Sequence, residues 1–169
     1  MKNHFELFGL TPSYALDTGT LDSAYRDIQA TVHPDKFAHA GDAERRASMQ
    51  MTTRVNEAYR TLKDPLRRAI HLLELNGIDV AFETDTAMPK EFLMEQMELR
   101  EQLEEARSAS ALDTLNKTLL EQKRQIQSRL AIELDSDKSF ESARILVRKL
   151  MFFDRLAEEV DEAYEALEG

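Results

Sequence analysis

The sequence contains no cysteine, and this absence removes several classes of chemistry. The chain cannot form disulfides, thiolate metal sites or iron-sulfur clusters held by its own cysteines, and it cannot use a cysteine nucleophile. The opening residues MKNHFELFGL lack the long apolar core of a signal peptide and the Arg-rich pattern of a transit peptide. No apolar run approaches the length of a membrane span. We therefore expect a cytoplasmic protein that does not bind a membrane.

The chain also lacks the surplus of basic residues that nucleic-acid binding requires. Ten of the 22 Lys and Arg residues and ten of the 32 Asp and Glu residues lie at or before Asn76, which leaves 12 basic and 22 acidic residues behind it. The whole net charge of −10 therefore lies in the second part of the chain. Because phosphate binding depends on clustered Lys and Arg, we expect protein partners and no nucleic acid.

No alternation of apolar and polar residues marks a β-strand. Apolar residues instead recur at steps of three and four, which predicts an all-α fold. An apolar cluster of Phe5, Phe8 and Leu10 opens the chain, and two longer helices follow. Their apolar faces consist of Leu21, Tyr25, Ile28 and Val32 in the first and Ala47, Met51, Val55, Ala58, Tyr59 and Leu62 in the second. Because only a short loop joins these helices, we expect an antiparallel hairpin.

A boundary between two modules is predicted behind a short helix. Asp64 and Pro65 have the pattern of an N-cap followed by proline at the first helical position, and this helix ends near Asn76. The segment GIDVAFETDTAM has neither helical nor strand periodicity. We therefore predict a first module over residues 1–76, a linker over 77–88 and a second module over 89–169.

The second module is predicted to be an acidic three-helix bundle. Its three helices begin at Pro89, near Ser110 and near Ser139. Ser110 has capping-box spacing to Asp113. Apolar series of the second and third helices are Leu112, Leu115, Leu119, Ile126 and Leu130, then Ala143, Leu146, Leu150, Phe153, Ala157, Val160, Tyr164 and Leu167. The alternating steps of the last series are typical of the seam of a helical bundle.

The loop between the two hairpin helices contains the tripeptide HPD at residues 33–35. The dipeptide YR at residues 25–26 precedes it, and NEAY at residues 56–59 follows it on the next helix. With these flanks, the first module resembles a J-domain, in which a helical hairpin with flanking helices carries an HPD loop. A non-functional reading is also open, in which the proline only stops the helix, the aspartate caps it and the histidine is idle.

The J-domain resemblance implies that the HPD loop and the adjoining helix dock on the ATPase side of a DnaK-type chaperone and promote ATP hydrolysis by that partner. The residues it assigns to chaperone binding are His33, Pro34, Asp35, Arg26 and Lys36. J-domains usually have more basic residues on this helix, so we expect weaker electrostatic steering here. The chain itself is then not an enzyme and needs no cofactor.

Four further segments resemble the HscB family of J-domain co-chaperones, which serve iron-sulfur cluster assembly. They are HFELFGL, HPDKF, FLMEQMELREQLEE and VRKLMFFDRL, and together they span most of the chain. The Gly/Phe-rich segment and zinc-binding repeats of general J-proteins are missing, which implies a dedicated client. The resemblance implies a monomer that stimulates an HscA-like chaperone and delivers an IscU-like iron-sulfur scaffold protein to it.

The helix after Pro89 has two distinct faces at 100° per residue. Phe92, Leu99, Leu103 and Ala106 share a core stripe, and the opposite side carries Leu93, Met94, Met97, Glu98, Glu101 and Glu105. Methionines rimmed by charges are typical of partner-binding surfaces, and the HscB resemblance assigns this face to the scaffold protein, with Phe152 of the last helix beside it. Alternatively, Leu93 packs inside the bundle against a second neighbouring helix.

Two rival functions remain open at this point. A J-protein with another client would differ only in what the outward face of the helix after Pro89 binds. A helical metal-dependent hydrolase is a rival from another class, but His33, Asp35, His39 and His71 do not have metalloenzyme spacing, and no nucleophile or phosphate loop is recognisable. We therefore predict no metal site.

Overall fold

The structure is a computed structural model that describes residues 2–80 and 88–169. Within these residues all regular structure is helical, which confirms the expected all-α class. The helices are α1 His4–Leu7, α2 Thr18–Val32, α3 Asp42–Lys63, α4 Pro65–Leu75, α5 Lys90–Glu105, α6 Ala109–Ala131 and α7 Phe140–Glu168. A 3₁₀ turn, Pro34–Phe37, follows α2, and a π-helical turn, Ile132–Ser136, follows α6.

The chain divides into two compact units, Met1–Leu72 and Leu73–Gly169. This division falls within α4, four residues before the module boundary that we placed at Asn76. The predicted linker 77–88 includes residues 81–87, which lie outside the described residues. Each unit is described by itself below.

The first unit is built on the antiparallel hairpin of α2 and α3, as the sequence predicts. The hairpin helices bury Leu21, Val55, Ala58 and Leu62. The prediction is wrong for Ala47, which is exposed, while the neighbouring Ser48 is buried. The short helix α1 packs on α3 and contributes the fully buried Phe5. The side chain of Asp17 caps α2 by accepting a hydrogen bond from Gly19 N at 3.0 Å. This oxygen satisfies one of the N–H groups that the first helical turn leaves unpaired.

Polar contacts fix the register of α2 against α3. The rings of Tyr25 and Tyr59 stack with centroids 4.0 Å apart, and Tyr25 Oη donates a hydrogen bond to Asn56 Oδ1 at 2.7 Å. Tyr59 Oη and Lys63 Nζ both donate to Asp22, at 2.7 and 2.8 Å. These bonds, first that of Lys63 and then that of Tyr59, lower the pKa of the Asp22 carboxyl. A shift of α2 along α3 would break all of these contacts.

The second unit is a three-helix bundle, as predicted. Helices α6 and α7 make its most extensive contact, and α5 packs on both. The five apolar residues predicted for α6 are all buried. In α7 the buried residues are Ala143, Val147, Leu150, Phe153, Leu156 and Val160.

Part of the seam predicted for α7 is wrong. Leu146, Ala157 and Tyr164 are only partly buried, whereas Val147 and Leu156 are fully buried. Apolar residues at alternating steps of three and four form a narrow stripe that contacts one partner helix. Because α7 packs on two helices, its buried stripe is wider and is shifted from the predicted one. Leu167, predicted as the last core residue, is 46% exposed in the final turn of the chain.

The predicted capping box at the start of α6 is also wrong. The N-cap lies two residues earlier than proposed: Ser108 caps the helix and accepts a hydrogen bond from Ala111 N at 3.1 Å. Asp113 instead accepts a hydrogen bond from Tyr164 Oη, so it joins α6 to α7. This bond raises the pKa of Tyr164 to about 12.

The connection between α6 and α7 contains a buried carboxylate that the sequence analysis did not identify. Glu133 in the π-helical turn accepts hydrogen bonds from Ser142 Oγ at 2.8 Å and Arg129 Nε at 3.2 Å. Lys138, with φ of +56°, lets the chain reverse direction into α7. This turn therefore sets where α7 begins.

Candidate functional site

The HPD turn is an ordered structure rather than a loose loop. His33 has φ −57° and ψ 135°, the extended conformation favoured before proline, and Pro34 begins the 3₁₀ turn. His33 Nδ1 accepts a hydrogen bond from Asp35 N at 3.1 Å, and His33 O accepts one from Lys36 N at 3.0 Å. The side chain of Asp35 is 93% exposed and that of His33 is 47% exposed. The histidine is therefore the cap of this turn, contrary to the reading that assigned capping to Asp35, and the carboxylate is presented to solvent.

Two hydroxyl groups of α3 hold the end of α2 in place. Ser48 Oγ donates a hydrogen bond to Val32 O at 2.6 Å. The single hydroxyl proton of Thr52 is shared between Ser48 O at 2.9 Å and Val32 O at 3.3 Å. Ser48 is buried. The last carbonyl groups of a helix have no partner within it, and here the facing helix supplies the donors. Because Val32 directly precedes His33, these bonds anchor the HPD turn to the hairpin.

The sequence analysis missed Ser48 and Thr52 as part of the site. Their spacing of four residues places both on one side of α3, so their common orientation is visible in the sequence. Their common acceptor, Val32 O, becomes apparent only once α2 and α3 are paired.

The two cations predicted for chaperone binding lie at different distances from the turn. Lys36 is part of the turn itself, and Arg26 lies seven residues before His33 on α2, which corresponds to about 10 Å of helix. Both residues are exposed. They extend the surface of the HPD turn along α2.

A second exposed surface lies on α5 in the bundle. We define the α5 face as Leu93, Met94, Met97, Glu98, Glu101 and Glu105, all of which are exposed. Its three apolar side chains are 46%, 55% and 65% exposed, in chain order. Phe92 and Leu99, on the opposite side of α5, are buried, and Leu103 and Ala106 are partly buried. The exposure of Leu93 disfavours the alternative in which it packs inside the bundle.

Phe152 lies beside this face. Its ring meets Phe92 edge to face with centroids 5.6 Å apart, and the Arg100 guanidinium lies 5.5 Å from its centroid. Phe152 and Leu93 both line a groove of about 400 Å³ between α5 and α7. Phe152 therefore lies across this groove from Leu93, at the border of the α5 face.

The histidines do not form a metal site. Within residues 2–80 and 88–169, no group of three or more His, Asp, Glu or Cys side chains is placed to hold a metal ion. His71 stacks on His4, with ring centroids 4.4 Å apart, and lies 5.8 Å from the ring of Phe5. Burial, and secondarily the charge of His4, lowers the pKa of His71 to about 4. The His71 side chain is therefore uncharged at pH 7 and packs as a neutral ring.

No helix in the described part of the chain is long and apolar enough to cross a membrane.

Comparison with known proteins agrees with this architecture. Residues 88–161 match a family model described as the HSCB C-terminal oligomerisation domain. The co-chaperone protein HscB homolog of Burkholderia multivorans is 51% identical over 169 residues, which cover 98% of this chain and 96% of that protein. The solved structure of chaperone HscB from Vibrio cholerae is 39% identical, with a TM-score of 0.86 and coverage of 98% and 99%. Human co-chaperone HscB is 31% identical, with a TM-score of 0.92 and coverage of 97% and 83%. The chain belongs to the HscB family of co-chaperones.

Proposed function

We propose that this protein stimulates the ATPase of an HscA-like DnaK-type chaperone and delivers an IscU-like iron-sulfur scaffold protein to it in the cytoplasm. The observation that carries the proposal is the pairing, in one chain of the HscB family, of an anchored and exposed HPD turn with an exposed apolar face on the bundle. In this role the protein makes and breaks no covalent bond.

The HPD turn supports the first half of this function. A segment that already has its binding conformation loses little entropy on docking, and the His33 cap together with the Ser48 and Thr52 bonds provides that order. We assign chaperone contact to His33, Pro34, Asp35, Arg26 and Lys36. By binding the hydrolysis-competent state of the chaperone more tightly than its resting state, this surface would raise the rate at which the chaperone hydrolyses ATP.

The α5 face supports the second half. Because its three apolar side chains are 46–65% exposed, each would contribute roughly 0.7 to 2 kcal/mol if a partner buried the rest of it. The three glutamates at its rim suit a partner with basic residues and would mainly speed association. Phe152 extends the apolar part of this surface. We therefore assign scaffold binding to the α5 face and Phe152.

The division of labour follows the predicted modules. Residues 1–76 act on the chaperone, residues 89–169 hold the scaffold, and residues 77–88 join them. We propose that the protein works as a monomer, since neither site needs a residue from a second copy, although residues 88–161 match a domain that is named for oligomerisation.

A single-turnover ATPase assay with the purified chaperone tests this function. Asp35→Asn and His33→Gln should abolish stimulation without changing circular dichroism, because exposed side chains contribute little to stability. His39→Gln is the matched control, since His39 is exposed just after the turn and should leave stimulation intact. Full stimulation by a folded Asp35→Asn variant would rule out the proposed chaperone site. Normal stimulation without binding of the scaffold would indicate a J-protein with another client.

A further inference from the structure

The groove between α5 and α7 is lined by apolar side chains and three arginines, although it belongs to the acidic part of the chain. Leu93 and Arg100 border it on α5, and Arg148, Phe152 and Arg155 border it on α7. On each helix the bordering residues span seven positions, which corresponds to about 10 Å. The groove is therefore long enough for about three residues of an extended segment, at 3.3 Å per residue.

The arginines of the groove differ in what they already bind. Arg100 Nη1 donates a hydrogen bond to Glu159 Oε2 at 2.8 Å, and its guanidinium lies against the ring of Phe152. These contacts hold Arg100 in place at the wall of the groove. Arg155 is exposed, and no hydrogen bond or ion pair engages its guanidinium within the described residues. The N–H groups of the Arg155 guanidinium are therefore available to a ligand at the border of the groove.

We propose that this groove binds an acidic side chain carried on a short extended segment of the scaffold client, a proposal that rests on the function proposed above. A carboxylate accepts two parallel hydrogen bonds from a guanidinium, a geometry that a lysine cannot offer. Phe152 and Met151 line the same groove and would cover the apolar atoms of the bound segment. Arg155 supplies the bidentate contact, whereas Arg100, already paired with Glu159, forms part of the groove wall.

The groove adjoins the α5 face, so one client can contact both surfaces. The charges of the two surfaces then favour a client with an acidic side chain at the groove. Leu93 belongs to both surfaces, so a client that covers the α5 face reaches the edge of the groove. The client then meets glutamates on α5 and arginines across the groove. A matching client has a basic part opposite the glutamates and an acidic part opposite Arg155. Docking in the reverse orientation would place like charges opposite each other, so the groove selects both the client and its orientation.

Titration calorimetry of the full chain with purified IscU-like scaffold protein tests the groove. Arg155→Ala should raise the Kd about tenfold, Arg155→Lys should raise it less, and Arg155→Glu should raise it about a hundredfold. Arg124→Ala is the matched control, since Arg124 is an exposed arginine on α6 and its loss changes the net charge equally. This control should stay within about twofold of the unmodified protein. Stimulation of the chaperone ATPase without client should be normal in every variant.

A charge exchange then identifies the partner residue. Arg155→Glu is titrated against scaffold variants in which each Asp or Glu is changed to Lys in turn. Recovery of at least tenfold in affinity with one of these variants supports the proposal, and absence of recovery with all of them overturns it.

Other outcomes separate the groove from the proposed function. If the unmodified protein binds the scaffold and Arg155→Ala binds as tightly as Arg124→Ala, the groove proposal is wrong while the proposed function stands. If the unmodified protein does not bind the scaffold, the proposed function itself fails, and the proposed occupant of the groove fails with it. If Arg155→Glu leaves the Kd for the scaffold unchanged but alters the sedimentation of the protein without scaffold, a second copy of the chain occupies the groove. The proposal is then overturned.

Discussion

Removal of the hydroxyl groups of Ser48 and Thr52 should loosen the HPD turn without altering its own residues. Both hydroxyls donate to Val32 O, and that carbonyl directly precedes His33. The double variant Ser48→Ala, Thr52→Val keeps the volume of the threonine side chain and removes both donors. Thr53→Val is the matched control, because Thr53 Oγ1 bonds to Met49 O within its own helix.

The expected cost follows from the two bonds. A hydrogen bond contributes about 0.5 to 1.5 kcal/mol to stability, and the bond of Thr52 is the weaker one because it is longer and shares its proton with Ser48 O. We expect the free energy of unfolding of the first unit to fall by about 1 to 2 kcal/mol. For a unit of this size, each kcal/mol lowers Tm by roughly 4 to 8 °C. The hairpin core of Leu21, Val55, Ala58 and Leu62 is unchanged, so the unit should stay folded at 25 °C.

The functional effect should appear as a change of affinity. If the turn holds its docking conformation only part of the time, the apparent Kd for the chaperone rises in proportion to the loss. A cost of 1.4 kcal/mol corresponds to tenfold. We expect half-maximal stimulation at up to about tenfold higher concentration, with the same maximal rate, whereas Asp35→Asn should lower the maximal rate itself. An unchanged half-maximal concentration in the folded double variant would refute the anchoring argument.

Three further predictions concern other parts of the chain. Changing Leu93, Met94 and Met97 together to Ala should weaken scaffold binding at least tenfold in calorimetry while circular dichroism stays unchanged, since these side chains are exposed; loss of the fold would show that they belong to the core. Residues 1–76 alone should stimulate the chaperone ATPase weakly, and a folded but inactive fragment would contradict the proposed division of labour. Because the pKa of His71 falls from 6.5 to about 4 on folding, its contribution to stability is complete above pH 6.5 and is lost as the pH falls toward 4. The loss is at most about 3 kcal/mol. Denaturant unfolding at pH 7, 5 and 4 should show a smaller pH dependence for His71→Phe than for the unmodified protein, and an equal dependence would contradict the assignment.

Features that depend on local pattern were predictable from the sequence. The periodicity of α6 correctly identified all five of its buried apolar residues, because a helix that faces one core repeats its contacts at fixed steps. The two faces of α5 followed from the same geometry: Phe92 and Leu99 are buried, and the methionines opposite them are exposed. The HPD turn was located because a proline forces the preceding residue out of helical conformation.

Features that depend on pairing between helices were not predictable in the same way. Ser108 and Ser110 are equally good cap residues by type, and the choice between them depends on where α6 meets the bundle. The carboxylate of Glu133 would be expected at the surface, and only its bonds to Ser142 and Arg129 allow its burial. Arg155 falls outside the buried stripe of α7 and would have been read as an ordinary solvated charge; its position becomes informative only beside the wall that α5 provides.

The presence of both proposed sites in one chain explains why each of them can be small. The HPD turn offers few cations, and the α5 face exposes three apolar side chains, so neither surface is built for very tight binding. When two binding modules lie in one chain, the second binding event becomes intramolecular, and an effective concentration replaces the bulk concentration of the free partner. A client bound to the α5 face would therefore meet the docked chaperone at this effective concentration, which can exceed the Kd of the client for the chaperone even when that second complex is weak. Because each contact is moderate, the client could still be released after hydrolysis, as the proposed transfer to the chaperone requires.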